Sequence, residues 1–99
     1  MSAAEYVWQV PVDHPSLAGH FPGRPIVPGV VLLDQAIRFA ECLLGHPVAG
    51  WQIGNAKFLS PVGPGESLRF ALQTKASGAI AFTVSGNGRD VASGSLTPS

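Results

Sequence analysis

Ninety-nine residues and 10.3 kDa make one domain, residues 1–99, whose surface shrinks from roughly 15,000 Å² unfolded to about 5,300 Å² folded, enough for one core. Six Lys and Arg balance six Asp and Glu, and charged residues are only 12 % of the chain, about half the usual share; this excludes the clustered basic face of a nucleic-acid binder and points to a surface partly covered by another subunit. The single cysteine, Cys42, excludes an internal disulfide framework and any multi-cysteine metal site.

Cys42 lies in an apolar stretch and is expected to pack as a small hydrophobe. The N-terminal Met1-Ser2-Ala3-Ala4-Glu5 has neither the basic nor the apolar region of a signal peptide. Val30 to Leu44, the most apolar run, is broken by Asp34, Arg38 and Glu41 and is too short to span a bilayer. A cytoplasmic protein with no membrane contact is the expectation.

In chain order, Glu5 to Val12 reads as a first strand, with Tyr6, Trp8, Val10 and Val12 on alternate positions. Pro11 puts its end at a sheet edge or an irregular entry. The seventeen residues from Asp13 to Gly29 carry Pro15, Pro22, Pro25 and Pro28 with Gly19, Gly23 and Gly29. Such a run forms an ordered loop, and loops of that length tend to be functional.

A helix follows Pro28-Gly29 and runs to Leu44, with Gly45 as its C-cap and Pro47 just beyond. Its eleven apolar residues cover most of the circumference, which predicts burial nearly all round. Asp34, Arg38 and Glu41, with Gln35 beside them, form one narrow polar stripe. Trp51 to Leu59 reads as a strand, and Ser60 to Gly65 turns it. Glu66 to Ala76 and Ala79 to Ser85 alternate as two more strands joined at Ser77-Gly78 by a two-residue hairpin turn. Gly86-Asn87-Gly88 turns into a last strand near Val91 to Leu96. The order is β-α-β-β-β-β, an α+β fold in which the sheet must wrap the one helix.

Three features carry chemistry. His20, in Gly19-His20-Phe21-Pro22-Gly23, is an imidazole held out by a stiff backbone, suited to act as a general base near neutral pH. From spacing alone, a loop histidine that merely hydrogen-bonds a carbonyl is the competing reading. Asp34 is a carboxylate five residues into an apolar helix, either a buried acid or the partner of Arg38 at i+4 on a solvated stripe. Gly29 N–H stands at a helix N-terminus, where it can face an oxyanion. His14 and His46 each precede a proline and read as solvated, and His14 with His20 lacks a third ligand for a metal. No metal and no cofactor is expected, and there is no P-loop, dinucleotide fingerprint or nucleophile elbow.

The run Gly19-His20-Phe21-Pro22-Gly23-Arg24-Pro25-Ile26-Val27-Pro28-Gly29-Val30-Val31-Leu32-Leu33-Asp34 resembles the signature of the β-hydroxyacyl-acyl-carrier-protein dehydratases of the FabA/FabZ type. Ala56-Lys57-Phe58 and Pro61 to Leu68 are similar to later strands of that family, so the resemblance covers Asp13 to Leu72. It implies a hot-dog fold, a sheet wrapped around one long helix. It also implies that His20 is the catalytic histidine and Asp34 the catalytic carboxylate. Phe21, Pro28, Val30 and Arg38 would then line the substrate's path. The implied assembly is a homodimer in which each site takes His20 from one subunit and Asp34 from the other. Arg38 departs from the family, which has glutamine there.

The implied activity removes water from a 3-hydroxyacyl thioester of acyl carrier protein or coenzyme A, giving a trans-2-enoyl thioester in fatty-acid or polyene-type biosynthesis. His20 takes the C2 proton, Asp34 protonates the departing hydroxyl, and Gly29 N–H stabilises the thioester oxygen. The acyl chain is expected between helix and sheet. Competing readings are a hot-dog thioesterase, a non-catalytic acyl-thioester binder and a structural subunit of a heteromeric assembly. Arg38 is expected either to pair with Asp34, which opposes its protonation, or to reach the phosphate of a pantetheine arm, the option favoured here.

Overall fold

Alternation of apolar side chains builds a sheet that one narrow-faced helix can approach. A computed structural model, which describes residues 2–12 and 26–99, has β1 (Ala3–Gln9), α1 (Gly29–Leu44), β2 (Trp51–Phe58), β3 (Ser67–Thr74), β4 (Ile80–Gly86) and β5 (Arg89–Pro98). This is the expected order. All strand pairs are antiparallel, in the spatial order β1-β3-β4-β5-β2. Leu68, Phe70 and Leu72 of β3 and Ile80, Phe82 and Val84 of β4 are buried, and the residues between them lie nearer solvent. That is the two-residue period of a strand with one face on a core.

Cross-strand rows position the helix. Tyr6 lies opposite Phe70, and Phe70 opposite Val84. Phe39 of α1 stacks on Tyr6 with centroids 4.5 Å apart and meets Phe70 edge-on at 5.2 Å. These aromatic contacts, each worth about 0.5–1.5 kcal/mol beyond area burial, fasten α1 to β1 and β3. One row further along, Phe82 lies opposite Gly94. A Cβ on Gly94 would stand 2.9 Å from the Phe82 ring and 3.2 Å from Ala56 Cα, so the absence of a side chain makes room for the ring.

α1 starts after Pro28, whose extended ψ of 145° leads into the helix, and closes on Gly45 at φ 82°, whose N–H donates to Glu41 O. Leu32, Ala36 and Ala40 form its buried face at four-residue spacing. The two alanines let the helix axis come close to the sheet. Val30, Asp34, Arg38 and Cys42 repeat at the same spacing on the other side and are exposed. The expectation of a helix buried nearly all round is therefore not met within one chain, and Cys42 does not pack into its core. Apolar composition shows what prefers burial, not which neighbour provides it.

Smaller departures have local causes. β1 begins two residues earlier than expected and ends at Gln9, ahead of Pro11, as an edge strand; Val12 is exposed instead of continuing the inward row. The β3–β4 hairpin turns over Lys75–Gly78, with Gly78 N–H donating to Lys75 O and Gly78 at φ 91°. This is a three-residue loop with a left-handed glycine at its end, where two residues were expected. Asn87 and Gly88, at φ 52° and 73°, make the tight β4–β5 turn between Gly86 and its partner Arg89. An Asn-Gly pair suits a turn that needs positive φ twice. The β4–β5 register shifts after Val84, so Val91 and Ala92 are both buried. β2 is the other edge strand; its register against β5 shifts between Gly54 and Lys57, with Asn55 at φ 52°.

Candidate active site

The helix start is built by three segments. Val27 N–H donates to Val62 O at 2.8 Å, which ties the residues entering α1 to the β2–β3 connection. Val31 N–H donates to Pro28 O at 3.0 Å, closing a tight first turn. Among the described residues no side chain caps this end, and no acidic residue lies in the first turn. The partial positive charge of a helix N-terminus suits it to an anionic oxygen.

Phe58 of β2 lies over Gly29. A Cβ on Gly29 would stand 2.7 Å from Cζ of that ring, so glycine is what lets the aromatic face settle there. The ring is nevertheless half open to solvent, as is Leu59 after it. Together with Ile26, Val27, Val30, Leu32 and Ser60 to Val62 they border an open hollow of about 500 Å³. Pro28 precedes it as the N-cap, and Val30 stands at its rim, exposed.

Asp34 lies about 7.5 Å further along the helix axis. Its carboxylate accepts a hydrogen bond from Arg38 Nε at 3.0 Å. The two side chains are 61 % and 70 % exposed, so in a single chain this is a solvated ion pair. Of the two expectations for Arg38, the single chain shows the pairing with Asp34. Glu41, expected on the same stripe, is elsewhere. It is half-buried and accepts from Val48 N–H at 3.0 Å and Trp51 Nε1–H at 3.4 Å, pinning the loop from α1 to β2.

His20 and Phe21 lie outside the described residues, so among the expected site residues the structure brings together Gly29, Pro28, Val30, Asp34 and Arg38 on α1 and its entry. Reading the sequence missed Phe58 as part of this site. It also missed a polar cluster behind the hollow. Glu66 accepts from Gly63 N–H at 2.6 Å, Asn87 Nδ2–H at 2.9 Å and Arg89 Nη1–H at 3.0 Å, and Arg89 Nη2 also donates to Glu66 Oε2 and Pro61 O. The Arg89 hydrogen bond leads in holding the Glu66 carboxyl below its usual range, against the opposing effect of burial. A glutamate and an arginine 23 positions apart leave no local signal; only the Pro-Gly-Glu run before β3 marks a turn whose carboxylate could fold back on it.

Among the described residues no helix is long and apolar enough to cross a membrane. The ApeI-like family model, described as ApeI dehydratase, matches residues 1–95. A 3-hydroxyacyl-[acyl-carrier-protein] dehydratase FabZ of Thermomicrobium roseum is 40 % identical over 73 residues, 65 % of this chain and 48 % of that protein. Its counterpart in Gluconacetobacter diazotrophicus is 33 % identical over 97 residues, 89 % of this chain and 60 % of that protein. The chain therefore spans about half to three fifths of the length of these relatives. Among solved structures, the dehydratase heterocomplex ApeI:P from Xenorhabdus doucetiae superposes with a TM-score of 0.80 at 23 % identity, covering 96 % of this chain and 85 % of that one. The hot-dog architecture and the match along nearly the whole sequence agree, and the chain belongs to the ApeI-like dehydratases of the FabA/FabZ type.

Proposed function

We propose that this chain removes water from 3-hydroxyacyl thioesters, carried on acyl carrier protein or coenzyme A, to give trans-2-enoyl thioesters. The observation that carries the reading is the match to the dehydratase family over residues 1–95, which contains both the histidine loop and the helix that bears Asp34. Gly29 N–H, at the helix start beneath Phe58, receives the thioester oxygen as negative charge develops on it. His20 removes the C2 proton. Asp34 delivers a proton to the C3 hydroxyl, which leaves as water. The electron pair of the broken C–H bond becomes the new C2–C3 π bond, so the step needs no cofactor. Pro28 fixes the helix entry, and Phe21, Val30 and Arg38 border the bound acyl thioester.

In the single chain the Asp34 carboxylate is open to solvent and tied to Arg38, whereas an acid–base group works best where water is excluded. A second subunit laid over Val30, Asp34, Arg38 and Cys42 would exclude water from the carboxylate. Exposed Phe58 and Leu59 border the hollow together with Val30, and Ile53 is a further exposed apolar side chain of β2. These features support a homodimer whose sites take His20 from one subunit and Asp34 from the other. The Xenorhabdus doucetiae protein is a heterocomplex, which favours a second arrangement in which the covering chain is a different dehydratase. The cytoplasm is the compartment this reading assigns.

Mixed subunits test both chemistry and assembly. His20→Ala and Asp34→Asn chains, each inactive alone by about 10²–10⁴-fold, should regain part of the activity when mixed, because some dimers then hold one intact site. Separate supply of 3-hydroxyacyl and enoyl thioesters distinguishes reversible dehydration from thiol release by a thioesterase and from binding without turnover. Full activity of His20→Ala would remove the histidine from the mechanism. Two inactive variants that fail to complement would leave shared sites between identical chains without support.

A further inference from the structure

We infer that Arg89, acting through Glu66 and the Pro61–Val62 segment, positions the first turn of α1. The β2–β3 connection is clamped from behind: Arg89 holds Glu66 with both Nη atoms, and its Nη2 also donates to Pro61 O. Glu66 in turn accepts from Gly63 N–H at 2.6 Å. The next residue after Pro61, Val62, is buried, and its carbonyl receives Val27 N–H at 2.8 Å. Val27 lies two positions before Gly29. The β4–β5 hairpin is thus joined to the helix start by hydrogen bonds at Pro61 and Val62 that are linked through the backbone of the β2–β3 connection. Arg89 itself does not line the hollow. It is a positioning residue, and its effect on turnover rests on the dehydratase reading of Gly29.

A planar two-pronged guanidinium suits this task because it meets a carboxylate and a carbonyl together, which an ammonium on a flexible stem does less well. Arg89→Gln removes the charge and one prong; Glu66→Gln keeps the shape and removes the charge from the other side. Amide hydrogen exchange of each variant in the intact protein reads the coupling directly. Exchange at Val27 N–H should rise about tenfold or more, while Leu72 and Ile80 in the sheet stay within about twofold, the pattern of a local opening. Turnover should fall about 10–100-fold, the scale of an ångström's misplacement, with KM changed by less than about threefold. Arg89→Lys should recover part of both effects.

Unaltered Val27 exchange in both variants would overturn the inference. So would a rise shared by Leu72 and Ile80, which marks general loosening, or wild-type turnover despite a freed Val27. If the unmodified protein neither hydrates nor dehydrates any thioester, the dehydratase reading fails, and Val27 exchange alone then decides whether Arg89 holds the helix start.

Discussion

The Phe58 ring occupies the space that a side chain at position 29 would need, 2.7 Å from where its Cβ would stand. Because that ring is half-exposed, it can swing outward, so Gly29→Ala should fold and change stability by less than about 1 kcal/mol, within the ordinary glycine–alanine difference. Its cost should fall on turnover instead. Phe58→Ala placed in the same chain should relieve the clash, and a double-mutant cycle on kcat/KM should show coupling between the two positions of about 0.5 kcal/mol or more. Strict additivity would mean that the ring and the helix start do not act together.

Arg38 and Asp34 form an exposed pair, and such pairs contribute about 0.2–1 kcal/mol. Arg38→Gln should therefore leave the melting temperature nearly unchanged. Glutamine frees the Asp34 carboxylate from the 3.0 Å hydrogen bond that Arg38 Nε donates to it, so turnover at neutral pH should rise a few-fold. A raised KM confined to carrier-bound substrate, with turnover unchanged, would instead assign Arg38 to the pantetheine arm.

Glu66 supplies a pH prediction of definite sign. Its carboxyl titrates below the usual range in the folded protein, chiefly because of Arg89. The stability it contributes is complete above the ordinary glutamate value of about 4.3 and is lost as pH falls from there through the folded-state value. Glu66→Gln should be less stable at pH 7, and the difference from the unmodified protein should narrow on acidification through that window. Denaturant midpoints measured in steps from pH 7 downward would show it; parallel curves would exclude the linkage.

Gly94→Ala should destabilise the fold by about 1–3 kcal/mol, the usual cost of overpacking. The added methyl meets the ring of buried Phe82, which has no open space to turn into, on one side and the backbone of edge-strand Ala56 on the other. Urea titration would measure it, and an unchanged midpoint would show that the β5–β2 edge yields more readily than this packing implies.

The elements governed by local rules were legible in the sequence. The helix from Gly29 to Leu44 has its proline entry and glycine exit, and β3 and β4 announce themselves by alternation. What required the third dimension was anything joining distant segments. Glu41 looked like a member of a solvated stripe because its partners, Val48 and Trp51, reach it only when the following loop folds back. Phe58 reads as one more strand residue until β2 is laid beside the helix start. The exposed Val30–Cys42 face shows the same limit from the other direction, since its apolar positions were visible and their neighbour was not.

The turn at Asn87-Gly88 also bears on how the protein ages. An asparagine followed by glycine is chemically prone to lose its side-chain amide, and here that amide donates to Glu66 Oε1 at 2.9 Å. Hydrolysis would replace a donor with a second carboxylate facing the first, both competing for the one Arg89 guanidinium. Slow damage at this hairpin would therefore reach the β2–β3 connection through the polar cluster around Glu66.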